Sequence, residues 1–256
     1  MVNGIEGKVV LITGAAERAG REFARRFVGA GARVVINHLP FQQEQADELV
    51  AELGESAVAV AADITDAGQC AELVRASVAA FGGLDVLVHN ASTFTPRPWQ
   101  LVSEADFDTS FGVNVRGPFF LTQAAAIVML ERGGGNIIGL LGNSLTEAWP
   151  EFIPHAVSKT AMGRLMEQFA VALAPQIACN SVAPSQFLRS DDGTNDQLRK
   201  SRGEEVHVGR TARAGRGGRI READVDAVFE ALLFYATCTP QVTGTTLRID
   251  GGKALV

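Results

Sequence analysis

The stretch Val9-Val10-Leu11-Ile12-Thr13-Gly14-Ala15-Ala16-Glu17-Arg18-Ala19-Gly20 decides how this chain folds. Its first four residues are apolar and mostly β-branched, which reads as a strand buried on both faces. Gly14 then opens a turn, and a helical pattern follows over about 19–30. A glycine turn between strand and helix lets the backbone approach a pyrophosphate closely. It also aims the free N–H groups of the helix start at that anion. A glycine pattern alone is weak evidence; its place after a strand and before a helix gives it weight.

Outward from this unit the same rhythm repeats. Strands are predicted at Arg33-Val34-Val35-Ile36-Asn37, Ala57-Val58-Ala59-Val60-Ala61, Asp85-Val86-Leu87-Val88-His89, 136–141, 177–182 and 245–249. Helical patterns fill about 42–54, 67–81, 103–131, 155–174 and 221–237. Within the first of these Ala46, Leu49, Val50 and Leu53 fall on one helical face. Strand–helix alternation at this spacing predicts a parallel sheet covered by helices and joined by right-handed crossovers. No repeat or low-complexity linker divides the 256 residues, so a single domain spanning 1–256 is expected.

Composition narrows the function. Hydrophobic residues make up 46% of the chain, enough for a packed core, and the formal net charge is −6. That balance argues against a nucleic-acid partner, which calls for a clustered basic surface. No apolar run approaches the roughly 18 residues that span a bilayer, and the start of the chain lacks the basic-then-apolar order of a signal peptide. The three cysteines, Cys70, Cys179 and Cys238, are far apart and predict neither a disulfide framework nor a metal site. A soluble cytoplasmic protein is expected. There is one tyrosine, Tyr235.

Taken in order, these residues resemble the short-chain dehydrogenase/reductase family over nearly the whole chain. The family's TGxxxGxG reads Thr13 to Gly20; its acidic adenine contact matches Asp63, beside Ile64. Its NNAG reads His89-Asn90-Ala91-Ser92. The helix asparagine matches Asn114, the proline after the sixth strand matches Pro184, and Val242-Thr243-Gly244 with Asp250-Gly251-Gly252 closes the pattern. The resemblance implies a Rossmann-type, doubly wound, seven-stranded parallel sheet in the order 3-2-1-4-5-6-7, with helices on both faces. Gly14, Arg18, Gly20, His38, Asp63, Ile64, Asn90, Ala91, Lys159 and Pro184 would then bind the cofactor.

Two departures resemble the pteridine reductase-like branch: Arg18 in place of the second glycine, and Asn90-Ala91-Ser92 in place of NAG. A guanidinium there suits cofactor phosphates. Equally, Arg18 and Glu22 have the spacing of a surface ion pair. His38 stands at the end of the second strand, where a carboxylate would bind the ribose hydroxyls of NAD and repel a 2′-phosphate. Its loss favours NADPH, with NADH as the alternative because Glu17 supplies no positive charge.

The catalytic end departs furthest. In the resembled family a tyrosine four residues before a lysine moves the proton, and a serine thirteen residues before the tyrosine positions the carbonyl. Here the lysine is Lys159, the tyrosine position holds His155, and the serine position holds Gly142. Asn114 and Lys159 survive. Three readings stay open. One is a reductase of a small carbonyl or pterin-like substrate, with His155 as the proton group, Lys159 tuning it, and Asn114 holding a water or a backbone kink. Another is a dinucleotide-binding sensor or scaffold without chemistry. In the last, the fold is repurposed for non-redox chemistry with His155 as base. In the first, an imidazole falls about 2 Å short of a tyrosine hydroxyl, and Asn143 or Ser144 replaces the serine only if the loop shifts register.

Elsewhere, the polar, glycine-rich segment at about 185–219 suits a substrate lid or a solvated loop. The arginines at 210, 213, 216, 219 and 221 suit an anionic substrate or a solvated surface. Phe94, Trp99 and Trp149 are candidates for a flat pocket wall. His89 is expected to orient backbone at the fourth strand. The resemblance also implies a homo-oligomer, commonly a tetramer, packed through the long helices.

Overall fold

The computed structural model describes residues 4–185, 212–213, 219–220 and 223–255. Strands β1 (Val9–Ile12), β2 (Arg33–His38), β3 (Ala57–Ala61), β4 (Val86–His89), β5 (Gly135–Leu140) and β6 (Ile177–Pro184) lie close to their expected positions. A short antiparallel pair, β7 (Ala212–Arg213) and β8 (Arg219–Ile220), precedes the last sheet strand, β9 (Thr246–Ile249). The main sheet has seven parallel strands in the order β3-β2-β1-β4-β5-β6-β9. This is the expected order, the final strand being ninth only because of the small pair. The rest of the lid segment, with His207, Arg210 and Arg216, lies outside the described residues, as does Arg221 just beyond it.

Helices α1 (Arg18–Gly29), α2 (Gln43–Leu53), α3 (Ala67–Phe81), α4 (Glu104–Phe111), α5 (Gly117–Glu131), α6 (Ile153–Ala172) and α7 (Val225–Thr237) cover both faces. On β1 the side chains alternate between two cores. Val10 and Ile12 meet Phe23 and Phe27 of α1, Leu49 of α2 and Leu232 of α7. Val9 and Leu11 meet Leu73 of α3, Leu121 and Met129 of α5 and Met166 of α6. A period of two with both sides apolar is what a strand inside a doubly covered sheet needs. Phe23 and Phe27 are fully buried, so truncating either to Ala should cost about 3–5 kcal/mol.

Local signals set the helix ends. Asp66 caps α3 by accepting from the Gln69 amide at 2.9 Å, and the helix stops at Gly82 in a left-handed conformation, φ 79°. Ser103 and Asp106 form a reciprocal cap at the start of α4. The single helix expected over 103–131 is divided. A π-helical turn, Gly112–Arg116, joins α4 to α5 and carries Asn114 inward. Such turns widen the helix by one residue and often mark functional positions. By length and composition the run Glu104–Glu131 would also cross a bilayer, yet α5 buries Leu121, Ala125 and Met129 in the second core.

Candidate active site

The turn after β1 is held by side chains that the surrounding strands supply. Asn90 donates from Nδ2 to the Thr13 carbonyl at 2.8 Å and the Gly14 carbonyl at 3.0 Å. The Thr13 hydroxyl accepts from the amides of Asn90 and Ala91, both at 3.0 Å. From β2, Asn37 accepts the Gly14 amide at 3.3 Å and donates to the Ala62 carbonyl at 3.0 Å. The ends of β1, β2, β3 and β4 are therefore tied together around this turn.

Glycine is required twice. Gly14 has φ +60°, and a Cβ at Gly20 would lie 2.5 Å from the Gly14 oxygen and 2.7 Å from Asn90 Nδ2. Gly20 thus serves by close packing and does not itself line the cavity. Arg18, where the resembled motif has glycine, takes the left-handed backbone a glycine would, φ 50°. Its side chain is exposed at the cavity rim. The alternative pairing with Glu22 is not formed: Glu22 binds Arg25 at 2.6 Å and Arg26 at 2.7 Å. Arg18 has no ion pair among the described residues.

A cavity of about 470 Å³ runs from this turn to α6, within the size range of small-molecule sites. Gly14, Arg18, His38, Asp63, Ile64, Asn90, Ala91, His155, Lys159 and Pro184 all line it, so residues more than a hundred positions apart in sequence meet there. His38 is buried at the end of β2. Its Nδ1 contacts the Leu39 carbonyl at 2.9 Å, and its Nε2 has no partner among the described residues. Asp63 folds its carboxylate onto the Thr65 amide and hydroxyl at 2.9 and 2.8 Å, which stiffens the loop after β3.

At the far end Lys159 is buried and donates to the Leu140 carbonyl at 2.7 Å. Burial alone brings its ammonium down to about 7. His155, one turn earlier on α6, presents Nδ1 to the Thr93 carbonyl at 2.7 Å. Burial, then the Lys159 charge, bring it down to about 4, against a raising effect of the Thr93 carbonyl. Aromatic rings surround this imidazole. Trp149 lies parallel to it at 6.0 Å, Phe94 meets it edge-on at 4.9 Å, and Phe152 stacks behind Phe94 at 4.3 Å.

Asn114 does not line the cavity. It is fully buried in the π turn and donates to the Ser158 hydroxyl at 2.9 Å, which in turn donates to the His155 carbonyl at 2.9 Å. Asn114 is therefore a strut behind the turn of α6 that carries His155. Gly142 lines the cavity, and Ser144 is buried with its hydroxyl unpartnered among the described residues, 3.9 Å from where a Cβ on Gly142 would stand. Trp99 is largely exposed and is not part of the wall, since it sits on a short surface turn. His89 does not hold backbone; its Nε2 meets the Thr122 hydroxyl of α5 at 2.8 Å. Tyr235 is packed in the core against Thr245, hydroxyl to hydroxyl at 2.9 Å, and cannot stand in for a tyrosine at 155. Asn37 and the Thr93 carbonyl were not anticipated. A polar residue in an otherwise apolar strand was the signal for Asn37, whereas a main-chain acceptor leaves no mark in sequence.

This topology, with the cavity at the carboxyl ends of the strands, defines a doubly wound α/β fold of the Rossmann type. The chain belongs to the short-chain dehydrogenase family, whose model matches residues 8–197. It is 33% identical over 260 residues to an L-rhamnose 1-dehydrogenase (NAD(P)(+)) of Azotobacter vinelandii, covering 96% of each chain. Among solved structures it resembles a 3-ketoacyl-(acyl-carrier-protein) reductase of Brucella melitensis complexed with NADH. There the TM-score is 0.83 at 29% identity, over 98% of this chain and 99% of that one. A gluconate 5-dehydrogenase of Burkholderia cenocepacia in complex with NADP and tartrate gives 0.83 at 28% identity, over 100% and 99%. The protein is a short-chain-type oxidoreductase by family.

Proposed function

We propose that this protein transfers hydride between NADP(H) and a small carbonyl or alcohol substrate, using His155 where its relatives' pattern has tyrosine. The observation that carries the reading is the continuous cavity joining the glycine turn to His155 and Lys159. The residues present fit a dinucleotide. Gly14 leaves its backbone open to the cavity and Gly20 lets the turn pack closely behind it, Arg18 is uncommitted at the rim, and no carboxylate stands at the end of β2. Arg18 and His38 favour the 2′-phosphate form, with NAD(H) as the weaker alternative. Gly14, Ile64, Asn90, Ala91 and Pro184 form the walls, and Asp63 shapes the adenine end.

A bound dinucleotide supplies the hydride donor or acceptor. The chain's own residues do the rest. Lys159 is held by Leu140 with two N–H bonds left to meet ribose hydroxyls. His155 exchanges the proton at Nε2, and Asn114 with Ser158 fixes the helix turn beneath it. Phe94 and Trp149 give the substrate end a flat apolar wall, which suits a planar or cyclic substrate, pterin-like rings included. The named relatives act on sugars, sugar acids and acyl groups, which keeps hydroxyl and carbonyl substrates foremost.

A second reading, binding without turnover, is favoured by one observation: neither Gly142 nor His155 offers a hydroxyl to the substrate. Titrating with NADPH and then screening carbonyls while following nicotinamide absorbance separates the two. Cofactor-dependent conversion that His155→Ala abolishes supports the oxidoreductase. Binding with no conversion supports the sensor, and conversion with unchanged absorbance supports repurposed chemistry. We further propose a cytoplasmic homo-oligomer, a tetramer by family analogy. Exposed Ile127 on α5, Val157 and Val171 on α6 and Phe234 on α7 supply apolar faces for it.

A further inference from the structure

We propose that His155 rests as the neutral Nδ1–H tautomer and acts as a proton acceptor, so that the resting site is set for alcohol oxidation rather than carbonyl reduction. The inference rests on the reading of the cavity as a dinucleotide site. It begins with the 2.7 Å contact between His155 Nδ1 and the Thr93 carbonyl. A carbonyl oxygen can only accept, so the hydrogen in that bond belongs to Nδ1. A neutral imidazole has one N–H, and Nε2 is then left with its lone pair. Among the described residues no protein group is bonded to Nε2, and His155 lines the cavity.

The groups around the ring hold it in this state. Lys159, one turn along α6, is the charged group that acts on the ring, and its sign opposes a second positive charge. Trp149, Phe94 and Phe152 give an apolar enclosure that penalises an imidazolium. The carboxylate on the same loop, Glu147, is engaged by Asn143 Nδ2 at 2.7 Å and Trp149 Nε1 at 3.2 Å, not by His155. No other carboxylate touches the ring among the described residues. The lowering of His155 to about 4 agrees with this arrangement.

In the oxidative direction the bookkeeping closes without a further reagent. The carbinol C–H bond breaks with its electron pair going to the oxidised nicotinamide, the O–H proton goes to Nε2, and the C=O bond forms. The substrate is oxidised, the dinucleotide is reduced, and the imidazolium returns its proton to solvent. The reductive direction needs His155 protonated beforehand, which Lys159 and the aromatic walls oppose. Thr93 is thus a positioning residue acting through its main chain, choosing which nitrogen faces the substrate.

Nitrogen-15 NMR of histidine-labelled protein tests this, because the chain has only four histidines. Spectra at pH 7, with and without NADP+ as probe, would be assigned by loss of one signal in His155→Gln. Should that variant not fold, elimination with His38→Gln, His89→Asn and His207→Gln gives the same assignment. The proposal expects a neutral ring protonated at Nδ1 in both states. An Nε2–H tautomer or an imidazolium at pH 7 overturns it. Failure of NADP+ to bind would show in unshifted signals for His38 and His155, and would overturn the dinucleotide reading separately from the tautomer.

Discussion

Lys159 Nζ donates to the Leu140 carbonyl at 2.7 Å and has no carboxylate within ion-pair distance among the described residues. A buried ammonium answered only by a main-chain oxygen is costly to keep charged. Its folded value is about 7 against an ordinary 10.5. Between those two pH values the unfolded chain binds more protons than the folded one, so wild-type stability rises with pH across that window. Lys159→Met should be more stable than wild type by about 1–3 kcal/mol near pH 7. That advantage should shrink towards pH 10, with cofactor binding weakened throughout. Urea unfolding at several pH values checks the sign.

The glycine turn makes a steric prediction. A methyl group at residue 20 would sit 2.5 Å from the Gly14 oxygen, which Asn90 already holds. Gly20→Ala should destabilise the fold by about 1–3 kcal/mol and displace the turn from its cofactor-ready shape. Thermal unfolding and dinucleotide titration of the same sample should both report the loss.

Arg18 has no ion pair among the described residues and lies at the cavity rim, so its substitution should spare stability and alter binding. Arg18→Gln should weaken NADPH by roughly 10- to 100-fold, the value of a charge-assisted hydrogen bond, and NADH by much less. Parallel titrations with the two dinucleotides decide it; equal losses would remove Arg18 from 2′-phosphate recognition.

Two buried histidines predict acid sensitivity. His155 is lowered to about 4 and His89 to about 3, both from 6.5 and both chiefly by burial. Because both folded values are depressed, the folded state binds fewer protons below pH 6.5, and stability is lost as pH falls from there towards 4. Each group steepens the slope by up to about 1.4 kcal/mol per pH unit. His89→Gln should remove one such contribution, and the pH dependence of the unfolding midpoint measures it.

Most of the sheet was legible because β1, β2 and β4 to β6 are apolar runs punctuated by glycine, aspartate or proline, and burial on both faces demands that composition. The helix around Asn114 read as continuous because a π turn keeps helical periodicity on either side of one added residue. The cavity-lining residues on strand ends were visible through motif order and spacing. The side-chain partners were not. Asn90 reads as a cofactor contact yet spends its amide on Thr13 and Gly14, while Glu22 turns to Arg25 and Arg26 instead of Arg18. Such choices depend on three-dimensional neighbours such as Glu52 and Asp226, which spacing along one helix cannot reveal.

The cavity from Gly14 to Lys159 should take a phosphorylated nicotinamide dinucleotide. Isothermal titration calorimetry of purified protein with NADPH and, separately, NADH tests it most directly. The account predicts micromolar binding of NADPH and distinctly weaker binding of NADH. Heat-silent titrations with both, confirmed by unchanged thermal stability, would contradict it.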